Sequence, residues 1–559
     1  MVKKRLEADL KRAIEKLGFT GTDIVLSISP NSSFGDYTTN IALQLAKREH
    51  AENKQTALEV ANKILNNLGD LSYLEKAEVA GGGFINFFLS DQILLDNLKE
   101  AGNISPLEHA PKVLIEYGHA NILKEVHLGH LRTFILGESL ARIIHSLGSE
   151  VFRANYQGDI GLHVAKAVWG MKKMGLPSRE MNLEEKAEYL GRAYVLGSSD
   201  YEIDPGFKKQ IDKINADLYE KNSELQDLYE LGRGWSIDYF ELIYRLLGIK
   251  YDRCFFESEV YEQGRRAVLD NIGAIFERSD GAVIFPGEKY GLHNLVFLNS
   301  AGYPTYEAKD MGLAELEYKT FPYDKSIHVV GSEQEGYFRV VFKAMQLLYP
   351  YLGGRKYHLS YGMVDLKEGK MSSRTGEIVS VDDLIKVVGE KVREIMKESR
   401  LEVNQEVVRQ VAIGAIKFAY LKFAPASNIV FDLEKSVSLQ GDSGPYLQYT
   451  FARTQSVLEK AGVKSREVGK EESLEEEERV LLRRLEYFDE VVRQAGVEYR
   501  PNSVAEYLLN LAKDYNLFYQ KYRIIQSEKE ELRLTVTDAV GRVMQKGLDL
   551  LGISAPERM

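Results

Sequence analysis

Cysteine is almost missing from this chain, and the single one, Cys254, can form neither an intrachain disulfide nor a cysteine-based zinc site. Long apolar runs are missing too: no stretch approaches the roughly 20 residues that a membrane-spanning helix needs. The opening MVKKRLEADLKRAIEKLGF is basic, but it continues as a charged periodic helix without the apolar core of a signal peptide. The expected location is the cytoplasm, with no membrane partner. A basic excess is also absent. At a formal net charge of −11 the chain lacks the cationic surplus by which non-specific DNA binders neutralise phosphates. A protein that reads one folded RNA needs only local basic and aromatic surface, so motifs must decide.

What is present is the balance of a soluble globular protein, 44% hydrophobic and 28% charged over 559 residues, long enough for roughly three to four domains. Residues 1–105 read as a small α+β unit with helices at Leu6–Leu17, Thr39–Lys47 and Thr56–Leu68. Two strands flank the break Gly81-Gly82-Gly83. Residues 106–400 change to β-α-β: a strand at Val113–Tyr117, a helix at Leu131–Leu147 ended by Gly148, and a strand at Val151–Tyr156. That is the start of an open, Rossmann-like parallel sheet, whose ligands sit at the carboxyl ends of its strands. Residues 161–280 are mostly charged helix and read as an insertion. Strand-rich sequence returns at Ala282–Phe285, Leu295–Leu298 and Ile327–Val330. From 401 to 559 everything reads as helix, including one from Glu476 to Ala495. The expected fold class is therefore α/β, with a small α+β domain before the parallel-sheet domain and an all-α domain after it.

His127-Leu128-Gly129-His130 follows a strand and opens a helix, where unpaired backbone N–H groups and the helix dipole favour anions. Gly129 gives a flat base close access to the backbone. The group suits the ribose and phosphates of ATP, while a metal pair or two incidental histidines are the alternatives. About 240 residues on, Gly369-Lys370-Met371-Ser372-Ser373-Arg374-Thr375-Gly376 is a Gly-bounded basic loop able to close on a departing pyrophosphate.

Together, in this order and on these elements, the two segments resemble the HIGH and KMSKS signatures of class I aminoacyl-tRNA synthetases. The wider chain resembles the arginyl-tRNA synthetase family. Asn121 to Thr133 is similar to that family's SPN-x-x-K-x-x-H-x-G-H-L-R-S/T stretch, and Val151 to Gly161 to its N-x-x-G-D-x-G strand-loop. Further matches fall at Phe84-Ile85-Asn86-Phe87-Phe88, Gly444-Pro445-Tyr446-Leu447-Gln448-Tyr449 and Pro556-Glu557-Arg558-Met559. The resemblance implies ATP-dependent activation of L-arginine and transfer to tRNA(Arg), with Mg2+ accompanying ATP, no dedicated metal ligands, and a monomer. Catalytic roles would fall to His127, His130, Lys124, Lys370 and Arg374, and ATP contacts to His127, Gly129, His130, Met371, Ser372 and Ser373.

A guanidinium is a flat, charged fork with five donors, so its site should offer carboxylates and amide oxygens. Asn121, Glu257, Tyr306, Asp310 and Gln334 match the family's arginine pocket. Tyr306 and Asp310 stand four apart, on one face if the segment is helical. For tRNA, Phe84 and Asn86 match elbow-contacting positions of the first domain. Tyr446, Tyr449, Arg453, Tyr519 and Met559 match positions near the anticodon. A structural role in the core is the alternative for each aromatic. No editing domain is expected.

The chain departs from the pattern at Gly118-His119-Ala120, which replaces Ser-Pro before Asn121, and at Tyr337, where a histidine is usual. It departs again at Gly81, which replaces an asparagine, and at Ser373, which replaces a second lysine. Three other functions stay open on sequence alone: a tRNA-independent nucleotidyltransferase, an arginine-activating enzyme with a non-tRNA acceptor, and a catalytically silent RNA-binding paralogue.

Overall fold

The computed structural model describes residues 2–29, 31–49, 56–221, 224–367, 380–398, 403–462 and 473–559. Lys370, Met371, Ser372, Ser373 and Arg374 lie outside the described residues. The chain forms two compact units.

The first unit gathers residues 1–103, 453–491 and 510–545. Its sheet comprises β1 (Leu26–Ile28), β2 (Tyr37–Thr39), β3 (Leu74–Ala80) and β4 (Phe84–Leu89), antiparallel in the order β1-β2-β4-β3. The helix Val2–Lys16 turns Leu6, Leu10, Ala13 and Ile14 inward at helical spacing. Asp36, fully buried, is satisfied from three sides. It accepts the Leu89 N–H at 2.7 Å and the Tyr487 hydroxyl at 2.9 Å, and it pairs with Arg483 at 2.9 Å. Tyr487 is also where the single helix expected over Glu476–Ala495 divides into Glu476–Glu486 and Phe488–Val497.

The second unit holds residues 104–452, 492–509 and 546–559. Along the chain come β5 (Lys112–Glu116), β6 (Glu150–Gln157), β7 (Arg253–Phe256), β8 (Glu277–Ser279), β9 (Ala282–Phe285), β10 (Leu295–Leu298), β11 (Lys325–Gly331), β12 (Lys356–Tyr361), β13 (Val364–Leu366) and β14 (Ile429–Phe431). Five of them form a wholly parallel sheet in the order β12-β11-β5-β6-β7. Strand order reverses between β5 and β11, the position where open parallel sheets bind ligands. Val113, Leu114 and Ile115 on β5 are all buried, as expected of a central strand covered on both faces.

Four helices, Leu162–Met174, Leu183–Ile203, Pro205–Tyr219 and Gln226–Leu246, separate β6 from β7. The helical stretch therefore ends earlier than residue 280. β7 is the fifth strand of the parallel sheet, too short and too flanked by charge to stand out in the sequence. β8, β9 and β10 form their own antiparallel sheet. β14 interrupts the region expected to be wholly helical, because its partner β13 lies about 65 residues upstream, as in the Val364–Ile429 pairing.

The helices Glu257–Leu269 and Tyr306–Thr320 cross with their backbones nearly touching. A Cβ on Gly264 would fall 1.9 Å from the Ala308 carbonyl oxygen, and one on Gly312 2.3 Å from that of Val260. Only hydrogen at both positions allows this approach, which sets the helix carrying Tyr306 and Asp310 against the helix Glu257–Leu269.

Candidate active site

The helix Leu128–Ser146 starts at the carboxyl end of β5, and its first turn is capped by imidazoles. His127 Nδ1 accepts the Gly129 N–H at 3.1 Å, and His130 Nδ1 accepts the His127 N–H at 3.2 Å. With both Nδ1 atoms used as acceptors, the ring protons belong on Nε2. The rings lie 3.9 Å apart between centroids. Burial and then neighbouring Lys124 hold His127 below the usual imidazole range. Burial, followed by His127, His119 and Lys124, brings His130 down to about 3. Both rings are therefore neutral near pH 7 and act as fixed N–H donors. Gly129 serves first to admit the His127 ring, since a Cβ there would lie 2.9 Å from His127 Cε1. The Lys124 ammonium sits 4.2 Å from the centre of the Tyr194 ring. β13 pairs with β14, Ser380 bridges His127, and the Val381 N–H reaches the Val126 carbonyl at 3.3 Å.

At the same edge of the sheet lies a cavity of about 350 Å³, lined by residues from β5, β6, β11, β12 and two helices. Three of the five expected arginine-site residues, Tyr306, Asp310 and Gln334, line it together. The first two turns of the helix Tyr306–Thr320 carry Tyr306 and Asp310, and the segment Ser332–Gln334 follows β11 directly. Tyr337 donates to Asp310 Oδ2 at 2.7 Å, so the departure from histidine places a phenol against the carboxylate. Burial, and beyond it Glu116, Glu307 and Glu257, raises Asp310 well above the usual carboxylate range, against the lowering effect of Tyr337. That carboxylate has the surroundings of an anion awaiting a cation.

The other two expected residues, Asn121 and Glu257, are brought together elsewhere, beside Gly158. A Cβ on Gly158 would fall 2.2 Å from Asn121 Oδ1 and 3.4 Å from Glu257 Oε1. Glu257 is buried and pairs with Lys309 Nζ at 2.5 Å, and Lys309 also donates to the Ile160 carbonyl at 3.2 Å. The Glu257 carboxylate in turn raises Lys309, keeping the ammonium charged despite burial. The replaced tripeptide before Asn121 has its own logic. Gly118 has φ +107 and no room for a Cβ, and His119, at φ +51, turns its ring into the cavity wall 3.4 Å from Glu116.

Sequence reading missed the inner end of this cavity: Glu116, Tyr156, Glu317, His328 and Lys356. Lys356 Nζ bonds Glu317 Oε2 at 2.6 Å, and His328 Nδ1 lies 3.2 Å from Glu116 Oε2. Two signals were available. Glu116 ends an apolar strand run, and Glu317 stands seven residues after Asp310, on the same helical face.

The expected RNA-contacting residues are spread over both units. On β4, Phe84 is 43% exposed, whereas Asn86 is buried and its amide oxygen accepts the Thr38 hydroxyl at 2.8 Å. The Arg453 guanidinium lies 4.9 Å from the centre of the exposed Tyr519 ring and donates to Asn516. Tyr446 and Tyr449 are half-buried on the helix Gly444–Ala461, and Met559 is half-buried at the terminus.

The class I (R) tRNA synthetase catalytic domain matches residues 91–433, the arginyl-tRNA synthetase N-terminal domain residues 4–89, and the DALR anticodon-binding domain residues 447–559. Arginine–tRNA ligases of Parabacteroides distasonis and Porphyromonas gingivalis are each 31% identical, over 94% of this chain and 94% of theirs. The Thermus thermophilus arginyl-tRNA synthetase structure superimposes with a TM-score of 0.83 at 28% identity, covering all of both chains. By these likenesses, over a fold of the same kind, the chain belongs to the arginine–tRNA ligase family of class I aminoacyl-tRNA synthetases.

Proposed function

We propose that the protein activates L-arginine with ATP and esterifies the arginyl group to the 3′ end of tRNA(Arg), working as a cytoplasmic monomer. The observation that carries this reading is the cavity around Asp310. It is lined by four carboxylates, Glu116, Glu307, Asp310 and Glu317, against one ammonium, Lys356. Such a cavity calls for a cation rich in N–H donors. Asp310, Tyr306 and Gln334 bind the guanidinium, and Asn121 with Glu257 lies toward the amino and carboxylate end of the substrate.

The arginine carboxylate attacks the α-phosphorus in line, the bond to pyrophosphate breaks, and the adenylate forms. The neutral Nε2–H groups of His127 and His130 meet the charge growing on the phosphate oxygens, with no change in protonation. Gly129 lies within this ATP site. Lys124 adds positive charge beside them, and Lys370 and Arg374, with Met371, Ser372 and Ser373, cover the pyrophosphate. The ribose hydroxyl of the tRNA then attacks the adenylate carbonyl carbon, and AMP leaves. Mg2+ enters as part of the nucleotide substrate and neutralises pyrophosphate charge. Among the described residues the one histidine–carboxylate group close enough to ligate a metal is Glu116, Glu317 and His328, and Lys356 already supplies its cation. Phe84 contacts the tRNA elbow with Asn86 holding its strand, and Tyr446, Tyr449, Arg453, Tyr519 and Met559 meet the anticodon side.

Arginine-dependent ATP–pyrophosphate exchange, measured with and without tRNA and followed by charging of tRNA with labelled arginine, tests the whole reading. Exchange and charging are both expected. Exchange without charging would establish a non-tRNA acceptor, and absence of both would leave a silent RNA-binding protein.

A further inference from the structure

Six residues other than glycine hold a left-handed backbone among the described residues: His119, Leu123, Lys221, Asp280, Tyr499 and Gln526. Of these Leu123, at φ +61, is the one that is fully buried. An aliphatic residue rarely adopts this conformation, because its Cβ crowds the following carbonyl oxygen, and it persists only where the surroundings over-determine it. Leu123 stands between Asn121 and Lys124, both of which belong to the proposed reaction site.

One face of the helix Gln226–Leu246 supplies those surroundings. Ser236 Oγ accepts the Leu123 N–H at 2.8 Å, and both residues are buried. One turn earlier, a Cβ on Gly232 would fall 2.5 Å from Leu123 Cδ2, so the glycine leaves the slot that the leucine side chain fills. The helix is itself held along its length. Arg233 pairs with Asp159 at 3.1 Å, and the Tyr244 hydroxyl accepts from Asn155 at 2.8 Å and from Gln157 at 2.9 Å. Beyond its last turn, the buried Lys417 donates to the Leu247 carbonyl at 2.6 Å and Arg142 to that of Gly248 at 3.0 Å. A fixed hydroxyl and a fixed slot leave Leu123 one backbone conformation, which sets the directions in which Asn121 and Lys124 leave the chain. We infer that Ser236 is a positioning residue for adenylate formation: by holding Leu123 left-handed, it keeps Asn121 against Gly158 and directs Lys124 to the nucleotide end of the site. The inference rests on the activation reading proposed above.

The test is arginine-dependent ATP–pyrophosphate exchange, with tRNA present, on the full chain carrying Ser236→Ala or Ser236→Thr, with melting temperatures measured alongside. Ser236→Ala leaves a buried N–H without its acceptor and should lower kcat by roughly 10- to 100-fold while the protein stays folded. Ser236→Thr keeps the hydroxyl and should retain most of the activity. A packing role predicts the opposite order, since alanine is close to serine in volume and threonine adds a buried methyl group. If Ser236→Thr melts early, the Lys124→Ala background decides. There Ser236→Ala should cost less than it does alone, because part of what it misplaces is already gone. Wild-type kcat in Ser236→Ala, a folded threonine variant slower than the alanine one, or an undiminished cost in the Lys124→Ala background would each overturn the inference. A wild-type protein without exchange would instead overturn the activation reading itself.

Discussion

At the nucleotide end of the site, four consecutive residues supply two donors, the glycine that admits one of the rings, and a helix N-terminus. At the side-chain end, the cavity draws its lining from four strands and two helices across about 240 residues, from Glu116 to Lys356. The first is a local motif whose groups satisfy one another and stay neutral. The second is a tertiary assembly in which buried carboxylates outnumber cations. Catalysis of adenylate formation needs donors fixed before charge develops, which local capping provides. Recognition of a cation instead needs an unsatisfied anion in a low-dielectric place, which only folding around a cavity can create.

The contrast breaks most visibly at the histidines. His130→Ala removes one preorganised donor and is expected to lower kcat by roughly 10²–10³-fold with little change in the arginine KM. A variant that instead lost arginine affinity would show that the two ends are not separable. Asp310→Ala is the mirror experiment. Arginine binding should weaken by at least roughly 10- to 100-fold while ATP binding holds, and equal exchange kinetics in wild type and variant would remove Asp310 from the pocket.

The same contrast explains what the sequence disclosed. The order β-α-β and the segment His127 to His130 were legible because strand, helix start and motif are contiguous. Tyr306 and Asp310 were legible through helical spacing once the family pattern was recognised. Lys356 and His328 were not, since a lysine and a histidine on strands carry no local mark of facing a carboxylate from another element. β7 and β14 escaped for the same reason, their pairing being with distant strands. The expectation that Gly129 makes room for a base is refined by the structure: the nearest atoms to its missing side chain belong to His127.

If the pocket depends on tertiary packing, it should be sensitive to changes far from any ligand. Gly312→Ala places a Cβ against the Val260 carbonyl oxygen, and overpacking of this kind costs about 1–3 kcal/mol. A lower melting temperature and a raised arginine KM are expected together, because the displaced helix carries Asp310. Calorimetry and exchange kinetics check both. An unchanged KM at reduced stability would show that the helix crossing does not position the carboxylate.

The smallest effect is a pH dependence, and it should appear at one end only. Burial and neighbouring carboxylates raise Asp310, yet it must be ionised to pair with a guanidinium that stays charged throughout. Arginine binding therefore releases a proton below the free-pocket pKa, and affinity should rise with pH by at most about tenfold per unit until that pKa is passed. His130, brought down to about 3 by burial, stays neutral well below pH 7, and burial favours the neutral form of His127 too, so the ATP KM should change less with pH. Asp310→Asn cannot titrate at this position and should lose the Asp310 share of the arginine profile at a weaker affinity. Titration calorimetry in buffers of different ionisation enthalpy measures the released proton directly. A rising profile that survives in Asp310→Asn would move the titrating group to the Glu116–Glu317 pair, where burial together with the neighbouring carboxylate pushes Glu317 up to about 7 against the pull of Lys356.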